Sequence, residues 1–338
     1  MGVHEMRCEV VVVGAGPAGL QAALVLARAR RHVVVVDAGE PRNAASAHLH
    51  GYLSRDGMDP QELLQVGRAE VKTYGGELWE GAVEAIERTA AGEFSVSLND
   101  GRLLTTSAVL VATGLRDDLP DIMGVPDRWG RDVLHCPYCH GYEVRDSAIG
   151  VIGGKNRPFS VHQAMLVRKW SNDVVFFPNG IELTSEERER MLAFGVRISE
   201  GSVEHLELSD DRITGVGMSG GSVVPRTIIF IGPQFRPSDT LLKNLGCELG
   251  ENGWVRIDST GATSVPGVWA SGNVVDSPAQ IVSAAGGAYM AAVAVNHYLL
   301  AAEIDRAVAS QRSYGDVFSN EMERRVSELV LGDRRHGL

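Results

Sequence analysis

Residues 9–13 are an almost unbroken valine run with no polar face, the pattern of a central parallel strand buried on both sides. The run breaks at Gly14-Ala15-Gly16-Pro17-Ala18-Gly19 and resumes as an Ala- and Leu-rich helix to about residue 30. A second valine run, residues 33–36, closes on Asp37. Periodicity is then lost over residues 41–57, which predicts a loop, and returns as an amphipathic helix over 60–75. Strands are expected at 78–86, 94–98 and 103–106, with turn signals at Ala91-Gly92 and Asn99-Asp100-Gly101. A further buried strand, 107–112, ends at Thr113-Gly114.

Residues 119–133 are punctuated by Pro120, Gly124, Pro126 and Gly130, which predicts a hinge between two domains. Beyond it, a strand at 148–152, a helix at 160–170 and a strand at 173–177 repeat the opening unit of strand, turn, helix and strand. Residues 197–231 read as strand-rich, and 228–231 as a strand running into a crossover. Residues 263–273 predict a strand ending in a turn of small residues, followed by an Ala-rich helix over 280–302. The charged segment 314–338 reads as a helix with a frayed tail. The fold class is therefore α/β, with two Rossmann-like, doubly wound nucleotide-binding units.

Composition narrows the chemistry. At 338 residues the chain is long enough for two cores, and a formal net charge of −11 argues against nucleic acid or an anionic membrane as partner. No uncharged apolar run reaches the roughly 18 residues of a spanning helix. The first seven residues lack a signal-peptide pattern, so a cytoplasmic location is expected.

The opening glycines carry the dinucleotide fingerprint in the context it requires. Gly14 permits the turn, Gly16 lets a pyrophosphate approach the backbone, Gly19 lets helix and strand pack closely, and Asp37 can bond ribose hydroxyls. In the repeated unit the same turn is damaged: Lys155 stands at the second glycine position, Pro158 at the third, and Phe177-Pro178 where Asp37 stood. Close pyrophosphate approach over Lys155 and Pro158 is sterically poor, which weighs against NADPH there.

The second chemical signal is Cys136-Pro137-Tyr138-Cys139-His140-Gly141-Tyr142-Glu143. Two cysteines at this spacing close a small disulfide loop and reopen it with little backbone movement, which suits redox cycling. The string is also that of c-type haem attachment, but that needs an exported chain. A zinc site needs two further ligands, and Cys8 and Cys247 are remote and read as buried small hydrophobes; no metal site is expected. An inert pair is the structural alternative. His140 could be an ordinary core histidine; beside a redox disulfide its near-neutral pKa suits an acid/base. His48 and His50 are either loop fillers or part of the cofactor wall.

The ordered set VVVGAGPAGL, Ala112-Thr113-Gly114, CPYC, a second nucleotide-binding half and Ser271-Gly272-Asn273 resembles the low-molecular-weight thioredoxin reductases over nearly the whole chain. The resemblance implies a homodimer and FAD in a discontinuous domain, 1–118 plus 252–338, with a pyridine-nucleotide-like domain, 119–251, inserted. It places the cofactor on Gly14, Gly16, Ala18, Gly19, Asp37, His50, Thr113, Gly272, Asn273 and Gln280. Those reductases carry Asp where this chain has His140 and Asn273. CPYCHGYE is instead similar to the motif of dithiol oxidases of the same fold, which close disulfides in natural products of the gliotoxin and holomycin type. That likeness implies a small-molecule dithiol as substrate and molecular oxygen as acceptor. Catalysis would rest on Cys136, Cys139, His140 and Asn43. The alternative is an NAD(P)H-dependent reductase of the thioredoxin type, and a third reading is a flavin-bound redox sensor.

Overall fold

The valine runs become the centres of two parallel sheets in the computed structural model, which describes residues 5–317 and 320–332. The first sheet begins with β1 (Glu5–Val13), α1 (Pro17–Arg28) and β2 (Val33–Asp37), continues through α2 (Pro60–Thr73) to β3 (Glu77–Glu80), and adds β4 (Val83–Arg88), β5 (Phe94–Leu98) and β6 (Leu103–Val111). Its order is β3-β2-β1-β6-β5-β4, parallel from β3 to β6 and antiparallel beyond. Alternate residues of β1 face opposite layers. Val10 and Val12 pack with Leu20, Ala23 and Leu26 of α1, while Val11 and Val13 join the layer holding Phe94 and Leu104.

Two boundaries differ from the sequence pattern. The expected strand 78–86 is two strands, parted at Gly81, whose φ of 147° a side chain would resist. The expected break after residue 106 is absent, because buried, β-branched Thr105 and Thr106 keep the chain extended and β6 pairs with β1 from Glu5↔Leu103 to Val13↔Val111.

The second sheet follows the connector β7 (Leu115–Asp118) and α3 (Val125–Arg128). Its elements are β8 (Val133–Leu134), the single turn α4 (Pro137–His140), β9 (Ile149–Ile152), α5 (Arg157–Leu166), β10 (Val174–Phe177), α6 (Ser185–Ala193) and β11 (Val196–Ile198). A small antiparallel sheet of β12 (Val203–Ser209), β13 (Arg212–Met218) and β14 (Val223–Val224) precedes its last strand, β15 (Ile228–Ile231). The order β11-β10-β9-β15-β8 is parallel throughout.

The chain returns through β16 (Gln234–Pro237), which pairs antiparallel with β7, so the connection between the sheets is a two-stranded ribbon rather than a loose hinge. After α7 (Thr240–Asn244), β17 (Val268–Ala270) adds to β6 of the first sheet. It is shorter than the expected 263–273 strand because Pro266 and Gly267 interrupt it. The Ala-rich helix α8 (Ile281–Val317) extends past its expected end at 302, and α9 (Asn320–Gly332) lies in the charged segment. The tail at 333–338 and residues 1–4 of the N-terminal stretch lie outside the described residues.

Candidate active site

A cleft of about 510 Å³ runs from the Gly14–Ala18 turn and Asp37 to Cys136, Cys139, His140 and Gln280. Its size suits an organic cofactor. At the turn, Gly14 has φ +98°, and a Cβ there would stand 2.6 Å from the Ala112 carbonyl oxygen. A Cβ on Gly19 would stand 1.8 Å from the Gly14 oxygen, so helix and strand approach as closely as only glycine allows. A Cβ on Gly16 would meet no atom within 4 Å, so the backbone that caps α1 lies open to the cleft. That opening, at the positive end of a 12-residue helix, fits a pyrophosphate. Asp37 is fixed at the end of β2 by the Ala15 amide at 2.9 Å and by Arg68 at 2.7 Å.

The far wall comes from β17 and α8. Gly272, with φ +77°, packs against Ala18, where a Cβ would stand 2.9 Å from the alanine methyl. Asn273 donates to the carbonyls of Asp276, Ser277 and Ala279 and accepts from Arg42 at 3.2 Å. Thr113 faces the cleft and donates to the Ser238 carbonyl at 2.7 Å. Arg42 carries a role that sequence reading missed. It grips Asp117 of β7 with two bonds, at 2.7 and 2.8 Å, and lies over the Phe235 ring of β16 at 5.3 Å. One side chain thus ties the loop after β2 to both strands of the ribbon and to Asn273. Its partners lie 75 to 231 residues away, beyond any local pattern.

Cys136 and Cys139 form a disulfide with their Cα atoms 5.3 Å apart. Cys136 caps α4 and Pro137 takes its first position, so the motif closes into one helical turn, with the Cys139 amide donating to the Cys136 carbonyl at 3.1 Å. Gln280, just before α8, straddles the pair: its Oε1 lies 3.2 Å from Cys139 Sγ and its Nε2 3.7 Å from Cys136 Sγ. A residue expected on the cofactor is thereby placed on the disulfide as well.

His140 ends the same turn, half-buried and facing the cleft. Burial pushes its imidazole below the ordinary histidine range, opposed by the charge of Glu143 and aided by that of His50. Asn43 lines the cleft from a short turn spanning Arg42–Ala45. No hydrogen bond joins it to His140 among the described residues. His50 lies with Nε2 3.6 Å from Glu143 and Nδ1 3.4 Å from Asp56, so it meets the cysteine motif itself. Cys8 and Cys247 are buried away from the pair, and burial raises both thiols, Cys8 to about 11. Among the described residues, no group of three metal-ligating side chains converges, and no helix is long and apolar enough to cross a membrane.

The repeated unit copies the first in backbone. Gly153 donates to the Phe177 carbonyl at 2.8 Å as Gly14 does to Val36, also at 2.8 Å. Its side chains differ. Asn179, where an acid would be sought, accepts from the Val203 amide and donates to the Gly153 carbonyl. Arg157 is held by Glu187 and by the Glu182 carbonyl, and its charge draws Glu187 down to about 2. Phe159 crosses to Gly232 and stacks on His135, ring centres 5.1 Å apart.

A family model for pyridine nucleotide-disulphide oxidoreductases matches residues 8–288. The chain belongs to that family. This oxidoreductase is 30% identical to thioredoxin reductase tcpT of Claviceps purpurea over 78% of its own length and 86% of the relative's. It is 28% identical to thioredoxin reductase sirT of Leptosphaeria maculans, over 88% and 95%. Among solved structures it is similar to HlmI, at 53% identity and TM-score 0.88, covering 91% of this chain and 97% of that one. An oxidoreductase from Agrobacterium tumefaciens matches at 33% and 0.80, over 87% and 99%. The protein is thus a flavin-dependent disulfide oxidoreductase of the thioredoxin reductase-like kind, with FAD as its cofactor.

Proposed function

We propose that this oxidoreductase is a dithiol oxidase that closes an intramolecular disulfide in a small molecule. The observation that carries the reading is a disulfide opening on the cofactor cleft beside a histidine that burial keeps neutral. A neutral imidazole in that place accepts protons from thiols. A substrate thiolate attacks Cys136 Sγ, forming a mixed disulfide and releasing Cys139 as thiolate. The second substrate thiol, deprotonated in turn, displaces Cys136, and both enzyme cysteines end reduced. Gln280, whose amide contacts both sulfurs, holds the pair in register and can donate to a thiolate as charge develops. Bound FAD, held by Gly14, Gly16, Ala18, Gly19, Asp37, Thr113, Gly272 and Asn273, accepts two electrons from the pair and passes them to oxygen. Asn43 faces the same space and orients the substrate or His140.

The alternative, an NAD(P)H-dependent reductase, needs a second nucleotide site. Its basic side chain, Arg157, is held by Glu187, and Asn179 and Phe159 pack where the fingerprint and its closing acid would be. The likeness to HlmI, greater than to the relatives named thioredoxin reductase, supports the oxidase as well. The proposal includes the domain division 1–118 plus 252–338 with 119–251 inserted, a homodimer, and action in the cytoplasm. Product analysis tests it: aerobic incubation with dithiothreitol should give disulfide and hydrogen peroxide one for one. Disulfide without peroxide, or neither, would contradict it. Cys139→Ser should abolish turnover.

A further inference from the structure

Oxidation of a dithiol, R(SH)2 to R(SS), releases two electrons and two protons. The electrons leave through Cys136–Cys139 and the flavin to oxygen, which takes two protons as it becomes hydrogen peroxide. On the dithiol oxidase reading, on which this inference rests, His140 must accept a proton from each of two thiols in one turnover. A base that has accepted one proton cannot accept another until it is discharged. His140 is half-buried, so the route by which it discharges is a structural question.

The motif and the loop after β2 answer it together. Glu143 follows His140 by three residues in a run of turns where the Val144 amide still bonds the His140 carbonyl, which puts both side chains on one face. His50 Nε2 lies 3.6 Å from Glu143 Oε1, an ion-pair distance that rotation of the exposed Glu143 side chain shortens to a hydrogen bond. On the opposite side of the same ring, Nδ1 lies 3.4 Å from Asp56 Oδ2. Asp56 is held in place by the Gly51 amide at 2.9 Å. The His50 side chain is 19% exposed and that of Asp56 66%, so the series runs from the enclosed base to solvent.

We propose that Glu143 and His50 are the proton exit of His140, with Asp56 as its terminus in solvent. Glu143 takes the proton from the His140 imidazolium. His50 accepts it on Nε2 and releases the one on Nδ1 to Asp56, and the ring then returns to its first tautomer. No bond other than N–H and O–H changes, and no oxidant is consumed. The groups facing this series are the His48 ring, edge-on to His50 at 6.5 Å, and His135, which shares the field of His140 with Arg42 and Asp117. The charges of Glu143 and His50 act on His140 in opposite senses, the carboxylate favouring its protonation and the imidazolium opposing it. Glu143 and His50 touch neither sulfur and are positioning and relay residues.

The test is the anaerobic bleaching of the flavin by dithiothreitol in weakly buffered solution, for the FAD-loaded wild type, Glu143→Gln, His50→Gln and Asp56→Asn. Both Glu143→Gln and His50→Gln should slow bleaching by about tenfold, less than the roughly 10²–10⁴-fold cost of losing the base itself. Imidazole added as a mobile proton carrier should restore the His50→Gln rate and leave the wild type unchanged. The acid limb of the pH profile should move down in Glu143→Gln and up in His50→Gln. Rates within about twofold of wild type, or a loss that imidazole does not repair, would overturn the relay. Asp56→Asn, at an exposed loop position, carries the test if His50→Gln fails to hold flavin, and it should also be slowed and rescued. Bleaching by dithiothreitol proceeds through the cysteine pair whichever way electrons flow natively, so it judges the relay alone. Oxygen uptake by the same samples judges the oxidase.

Discussion

His140 sets the pH at which the disulfide can be attacked. It works as a base only when neutral, and burial places its pKa below the ordinary histidine value. Below that pKa the ring is protonated and the rate is lost; above it the rate is full. Dithiol-driven flavin bleaching should therefore rise with pH on a limb lying below the usual histidine range. His140→Gln should remove the limb and lower the rate by roughly 10²–10⁴-fold, as read by stopped flow across pH. The two other cysteines should stay silent. With Cys8 raised to about 11 and Cys247 raised as well, both are thiols at neutral pH. Alkylation of the native, oxidised protein followed by mass spectrometry should label neither, and prior reduction should add label only at Cys136 and Cys139. Gly14, Gly19, Cys136 and Cys139 were legible in the chain because their meaning lies in short spacing. Arg42 and the meeting of His50 with Glu143 were not, because each is made by residues brought together from distant parts of the chain.

At the scale of elements, the strands that read most clearly were those buried on both faces, β1, β2, β9 and β10, because an all-apolar run has one stable use in a parallel sheet. Boundaries set by partners were harder. β6 continues through the expected break because β1 pairs along its whole length, and the expected hinge is a ribbon because β16 returns beside β7. The segment between ribbon and motif is anchored by Arg128 of α3, 4% exposed, which grips Asp132 with two bonds of 2.7 Å. Asp132 also accepts the Ile213 amide at 3.2 Å. Arg128→Ala leaves that carboxylate buried beside β13 without its cation and should cost about 3–5 kcal/mol. Urea denaturation measures the loss; a midpoint unchanged from wild type would show that Asp132 is satisfied by backbone alone.

For the whole molecule, two copies of one nucleotide-binding plan have diverged in what their turns can hold. The first keeps an open glycine turn at Gly16 and an acid at Asp37, and supplies the flavin cleft. The second keeps the backbone bond from Gly153 to Phe177 but fills the turn with its own side chains. It presents the Cys136–Cys139 disulfide to the cleft of the first. That division was partly legible, since Lys155, Pro158 and the missing acid stand in the sequence. The closure of the second turn by Asn179 and Phe159 was not, since it depends on contacts with β12 and with Gly232 after β15. The central claim is that electrons enter from a dithiol through Cys136–Cys139 and not from a reduced nicotinamide. Anaerobic stopped-flow mixing of the FAD-loaded protein with dithiothreitol and, separately, with NADPH or NADH tests it most directly. The account predicts that dithiothreitol bleaches the flavin and that re-aeration restores the yellow colour with uptake of oxygen, while neither nicotinamide bleaches it. Rapid bleaching by micromolar NADPH would contradict it.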